Sequence, residues 1–195
     1  MIDKKLLKEA DILLFHTKGL SPISLAIRSL TRSFWNHTGL IVIDIDKKFY
    51  VIEALGSGVK QTPLDKYIGN KSYILKVVRL KPEAFKDEEE YSEGLKIAVE
   101  RMYEAVGAKR YDWASIIWLG IKYSIRAFWN KGVKYLPKNW NPFNNRYQVF
   151  CSELICECFH DTSSIIKNLF AGVYYPNAEC SVITPHDISK SKNIR

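Results

Sequence analysis

Two residues in this chain have the type and setting to make and break an acyl bond together. Cys151 opens CSELICECFH, in which Leu154, Ile155, Cys158 and Phe159 form one apolar stripe at helical spacing. A thiol at a helix N-terminus feels the positive end of the helix dipole and nearby amides without carbonyl partners, which favours the thiolate. The same amides can bond the oxyanion that forms when sulfur attacks a carbonyl. Cysteine is also a common buried residue, so position alone leaves nucleophile and core filler both open.

A thiolate nucleophile needs a base, and the base usually needs a third group to hold its ring. His37 stands just ahead of the apolar run GLIVIDI (39–45), and Glu53 is the lone acid inside FYVIEAL (49–55). The two runs read as a hairpin around the polar turn DKK. If the turn centres near Asp46, antiparallel partners carry numbers that sum to about 92. His37 and Glu53 then share a face as diagonal neighbours. A slip of one residue would put them on opposite faces. A carboxylate among apolar residues is costly unless paired, and a histidine would pair it. The other histidines compete less well. His16 follows DILLF as a loop polar residue, His160 lies at a helix end where a cation is favoured anyway, and His186 sits in a TPHD helix start.

The four cysteines are at 151, 156, 158 and 180. Three so close together make a poor disulfide framework, so reduced thiols are expected. Cys158 belongs to the packing stripe. Cys156 and His160, at i and i+4, could bind zinc with Cys180 and His186, but no paired CxxC knuckle supports that set. No metal and no cofactor are expected.

These residues need a scaffold. At 195 residues, 47% apolar and 26% charged, the chain reads as one globular domain over 1–195 with a core of its own. Ser21-Pro22 signals a helix start, with a helix through about Arg32. Beyond the hairpin, further strands are expected at VKQT (59–62) and YILKVVRL (73–80). A long helix is expected from about Glu83 to Val106, where Tyr91, Leu95, Ala98, Met102 and Val106 recur at spacings of three and four. An aromatic-rich helix follows from about Asp112 to Phe128. Residues 129–147 form a long loop broken by Pro137 and Pro142. Then VF leads into the Cys151 helix, with further helices at Ser163–Phe170 and after Thr184-Pro185. The fold class is α+β, and no internal repeat is present.

The order DILLF, NHTGLIV, VIEAL, FCSELI and TPHDI resembles the circularly permuted NlpC/p60-like cysteine enzymes of the papain-like fold, in particular the YiiX-like group. The likeness runs from Asp11 to Ile188. Its most specific part is HTGL ahead of CSEL, because ordinary papain-like enzymes run cysteine first. The resemblance implies an antiparallel sheet bearing His37, a helix bearing Cys151 packed against it, and Glu53 as the polar third member. The Tyr111-Asp112 pair looks like a recurring feature of that group. Ser152 and Tyr111 are accordingly expected around the oxyanion or just outside it. The implied activity is a cysteine hydrolase cleaving an amide bond in a peptide or peptidoglycan stem through an acyl-enzyme. Some related permuted enzymes act on lipid acyl groups, so a lipid acyltransferase or thioesterase on the same triad is the alternative. A catalytically dead papain-like binding module is a third reading.

The segment 113–148 is longer and more aromatic than such a core requires, and reads as an insertion. Trp113, Trp118, Trp129 and Trp140 alternate there with Lys122, Arg126, Lys131, Lys134 and Lys138. A core helix with a solvated basic loop is the plain account. A lid or interfacial patch is the functional one. With a net charge of +8, the expected partners are an amide- or acyl-bearing substrate and an anionic membrane surface or cell-wall polymer. Nucleic acid ranks last for want of a recognised module. No signal peptide is seen, and WASIIWLGI (113–121) is too short to span a bilayer. A cytoplasmic protein is expected, with peripheral membrane association as what the interfacial reading of 113–148 would add.

Overall fold

The computed structural model describes residues 2–18, 34–118, 121, 141, 147–166, 168–170 and 179–195. Five antiparallel strands form the central sheet: β1 (Ile12–Thr17), β2 (His37–Ile43), β3 (Phe49–Leu55), β4 (Gly58–Pro63) and β5 (Tyr73–Val78), in the order β4-β3-β2-β1-β5. The hairpin register is the expected one, with Leu40 opposite Ile52 and Ile41 opposite Val51. Its turn is set locally. Lys47 takes a positive φ of 59°, and Asp44 Oδ1 accepts the Lys48 amide at 2.8 Å. β1 is the DILLF run, whose short apolar stretch has no period to separate strand from helix. It lies between β2 and β5 with four fully buried residues.

Alternation along the strands feeds two cores. Ile12, Leu14, Leu40, Val42 and Ile52 face the larger one, which includes side chains of α1 (Glu88–Ala105) and α2 (Cys151–Cys158). Leu13, Phe15, Ile41 and Val51 face the smaller one, closed by Leu64 and Tyr67 from the 3-10 turn after β4. Helix α1 starts five residues later than the pattern suggested. Pro82 opens a separate 3-10 turn over Pro82–Ala84, and Asp87 caps the helix by accepting the Glu90 amide at 2.8 Å. Two short parallel strands, β6 (Arg110–Tyr111) and β7 (Gln148–Val149), bring the chain into α2. The last helix, α3 (Pro185–Lys190), begins at the expected place. Thr184 and Asp187 form its capping box.

Two expectations are overturned. The described residues of 163–170 are not helical. Ser163 Oγ donates to Ala84 O and accepts the Ile165 and Ile166 amides, while Asn168 Oδ1 accepts the Phe170 amide. These side-chain bonds compete with the helical ladder. Nor are all four thiols reduced: Cys156 and Cys180 form a disulfide, with Cα atoms 5.3 Å apart, and only Cys151 and Cys158 are free. That bond removes two of the four zinc ligands considered above. It also takes away the thiol-based argument for a reducing compartment.

The helix expected at 21–32 lies outside the described residues, as does most of the segment 113–148. Residues 113–118 are helical, as expected at the start of that segment. Asp112 caps them, Oδ1 accepting the Ser115 amide at 2.8 Å. Among the described residues no helix is long and apolar enough to cross a membrane.

Candidate active site

His37 is the first residue of β2, and its ring packs on Phe15 of β1, directly across the ladder (centroids 5.1 Å apart). Its Nε2 lies 2.7 Å from Glu53 Oε2 on β3. Continued by one residue, the register puts Gly39 opposite Glu53, where a side chain would crowd its neighbours on β3. A Cβ on Gly39 would come within 2.5 Å of Val51 Cγ1 and 3.2 Å of Glu53 Cβ. The glycine of NHTGL is thus a packing requirement of the pair.

Glu53 is 1% exposed and remains ionised. Burial raises its pKa, but hydrogen bonding and charge from His37, with hydrogen bonds from Tyr67 and Thr62, bring it below the ordinary carboxylate value. Tyr67 donates its hydroxyl to Glu53 Oε1. Burial and the Glu53 charge raise the Tyr67 pKa, so it stays a donor. Neither Tyr67 nor Thr62 was picked out from the sequence. Tyr67 belongs to a turn whose approach to Glu53 no strand register reports.

Cys151 comes from the other layer. Helix α2 packs on β2 and β3 from the side of the larger core, and its first residue reaches His37 at the strand end. Burial opposes a charge on His37. The charge and hydrogen bond of Cys151, and those of Glu53, outweigh it and raise the imidazole from 6.5 to about 10. With Glu53 on Nε2, Nδ1 is the ring nitrogen left for the thiol. The three residues singled out from the sequence therefore meet.

Of the two outer residues, Tyr111 is beside the thiol. It pairs with Val149 across β6 and β7, and burial, the charge of Cys151 and that of Asp112 all raise its pKa. Ser152 has a different job. Its hydroxyl donates to Ile183 O at 2.8 Å and is fully buried, tying α2 to the approach of α3. Its amide, in the first turn, is one the helix supplies with no acceptor. Glu153 is a further buried acid. Its carboxylate accepts the Phe150 amide at 3.2 Å, and burial, with the Glu157 charge adding, pushes it up to about 8. The remaining histidines stand apart. His16 is a strand residue of β1 rather than a loop one, stacking on Phe34 and bonding its carbonyl; His160 pairs with Asp161 at 2.8 Å, and His186 is in α3.

A buried thiol at a helix start, an imidazole on a strand and a carboxylate behind it belong together in papain-like enzymes. The family model of the permuted papain-like amidases, YaeF/YiiX, C92 family, matches residues 7–114. This chain belongs to that family of cysteine amidases. The match contains His37, Glu53, Tyr67 and Tyr111, while Cys151 lies beyond it. Among solved structures, the chain is similar to the crystal structure of metalloprotein yiiX from Escherichia coli O157:H7. The two are 21% identical, with 96% of this chain and 94% of that one covered at a TM-score of 0.58. They share a fold. No curated protein matches the chain.

Proposed function

We propose that the chain cleaves an amide bond with Cys151 as nucleophile, His37 as general base and acid, and Glu53 as the group that orients the ring. The observation that supports this reading best is the position of His37, with Glu53 on Nε2 and Cys151 interacting with the same ring. The Cys151 proton passes to Nδ1, and the thiolate attacks the substrate carbonyl. The first-turn amides of α2 hydrogen-bond the resulting oxyanion. The C–N bond breaks as His37 returns the proton to the leaving amine, which leaves a thioester on Cys151. Water, deprotonated by His37, then attacks the thioester and releases the acid. Glu53 keeps the Nε2 proton and balances the imidazolium charge throughout. The substrate class suggested by this chemistry is a peptide or peptidoglycan-type amide.

The test is Cys151→Ala. Turnover of a peptide or stem-peptide amide should vanish while circular dichroism still shows the folded protein; normal turnover in that variant would end the proposal. A thiol-directed activity probe separates an enzyme from a binding module. Cys151 should label rapidly, whereas burial pushes Cys158 up to about 12 and leaves it inert. Equal, slow labelling of both would favour the binding module.

A further inference from the structure

The helical stretch behind Asp112 turns apolar side chains outward. Trp113, Ile117 and Ile121 are 41%, 61% and 47% exposed, and their spacing of four puts them along one face. The stripe starts at the candidate active site. Trp113 packs on Tyr111 (centroids 4.7 Å) and covers Gly56, where a Cβ would come within 2.8 Å of the indole. Tyr111 is in turn paired with Val149, two residues ahead of Cys151.

The charge of the surrounding sequence is one-sided. From Trp113 to Ser152 it holds Lys122, Arg126, Lys131, Lys134, Lys138 and Arg146, with no Asp or Glu. The rest of the chain is nearly balanced, so most of the net +8 belongs to this segment.

We infer that the Trp113–Ile117–Ile121 face docks on an anionic lipid bilayer and holds the Cys151 site at the membrane surface. Exposed isoleucines with a tryptophan, set in an acid-free basic segment, match the acyl boundary and headgroup charge of such a surface. A second copy of this chain fits less well, because two chains that each carry a net +8 repel. A nucleic acid would use the cations but leave Ile117 and Ile121 without a role.

The inference goes beyond the amidase reading, and its test needs no turnover. Full-length protein is spun with phosphatidylcholine vesicles, with and without phosphatidylglycerol, at low and high salt. Binding should require the anionic lipid and fall with salt. Ile117→Glu and Ile121→Glu, both at exposed positions, should each weaken binding by about tenfold or more. Ile45→Glu, fully exposed at the distant hairpin turn, should leave it unchanged, as should Cys151→Ala. The inference is overturned by absence of sedimentation with anionic vesicles, by wild-type binding in both Ile117→Glu and Ile121→Glu, or by a dimer in solution that those changes dissociate. Loss of activity in Cys151→Ala with binding intact would separate this surface from the chemistry.

Discussion

Glu53 Oε2 meets His37 Nε2 at 2.7 Å, and the Cβ of that same glutamate lies where a side chain on Gly39 would come within 3.2 Å. The pair depends on a backbone feature of β2 as much as on its own chemistry. Gly39→Ala should therefore force Val51 and Glu53 aside. We expect a stability loss of about 1–3 kcal/mol, typical of overpacking, read as a lower Tm. A parallel drop in amide turnover is expected, because displacing Glu53 disturbs its bond to the ring. Unchanged Tm and turnover would show that the strands can part at no cost.

Removing the Glu53 charge while keeping its shape isolates its electrostatic role. Glu53→Gln should lower amide turnover by about 10²–10⁴ fold, the range general acid–base help covers. The imidazole should titrate at lower pH, since both Glu53 contributions to its raised pKa are weakened. The measurement is the pH dependence of kcat/KM together with the NMR titration of His37.

Tyr67 acts through Glu53. Tyr67→Phe keeps the packing on Phe15 (centroids 4.9 Å) and removes only the hydroxyl bonded to the carboxylate. A stability cost of about 1–2 kcal/mol is expected for one hydrogen bond lost from a buried acceptor. The His37 titration should shift, a change that a purely structural tyrosine would not cause.

The pair also predicts how stability varies with pH. His37 has a folded pKa raised above its ordinary 6.5, so its contribution is complete below 6.5 and is lost as pH rises towards about 10. Glu53 is lowered from 4.5, so its contribution is complete above 4.5 and is lost on acidification through its folded pKa. Urea unfolding should show their joint support at its maximum between about 4.5 and 6.5. Cys151→Ala should flatten the alkaline fall, because part of the raised His37 value comes from the sulfur. An identical alkaline slope in both proteins would contradict the assigned cause.

The Cys156–Cys180 disulfide spans 24 residues of chain. Cys180→Ser, or a reductant, should cost about 3 kcal/mol through the loop entropy regained on unfolding. Thiol titration of the denatured protein should count two free cysteines before reduction and four after it. Four at the outset would mean the bond is absent.

How far these features were legible depends on the distance over which each is decided. The His37–Glu53 pairing could be read in advance because one short turn sets the whole hairpin register. The Cys151 helix was visible from its own apolar stripe. β1 was not, because four apolar residues in a row suit a strand or a buried helix equally. The helix expected at 163–170 failed where Ser163 and Asn168 take up backbone groups themselves. Tyr67 and Thr62, which hold Glu53, and the bond between Cys156 and Cys180 gave no local sign.

By itself, then, the sequence determined the hairpin, the α1 and α2 helices and the three reactive residue types, since periodicity, turn chemistry and a helix start are local properties. Tertiary structure decided what those residues do for one another. His37 and Glu53 stand on the smaller core's side of the sheet, and Cys151 arrives on a helix covering the other side. Only the packing of that helix against β2 and β3 brings a thiol 114 positions away to the imidazole at the strand end. The physical reason is that burial and charge act through space. A lone glutamate in a strand is a liability until a ring, a phenol and a hydroxyl from separate elements close around it.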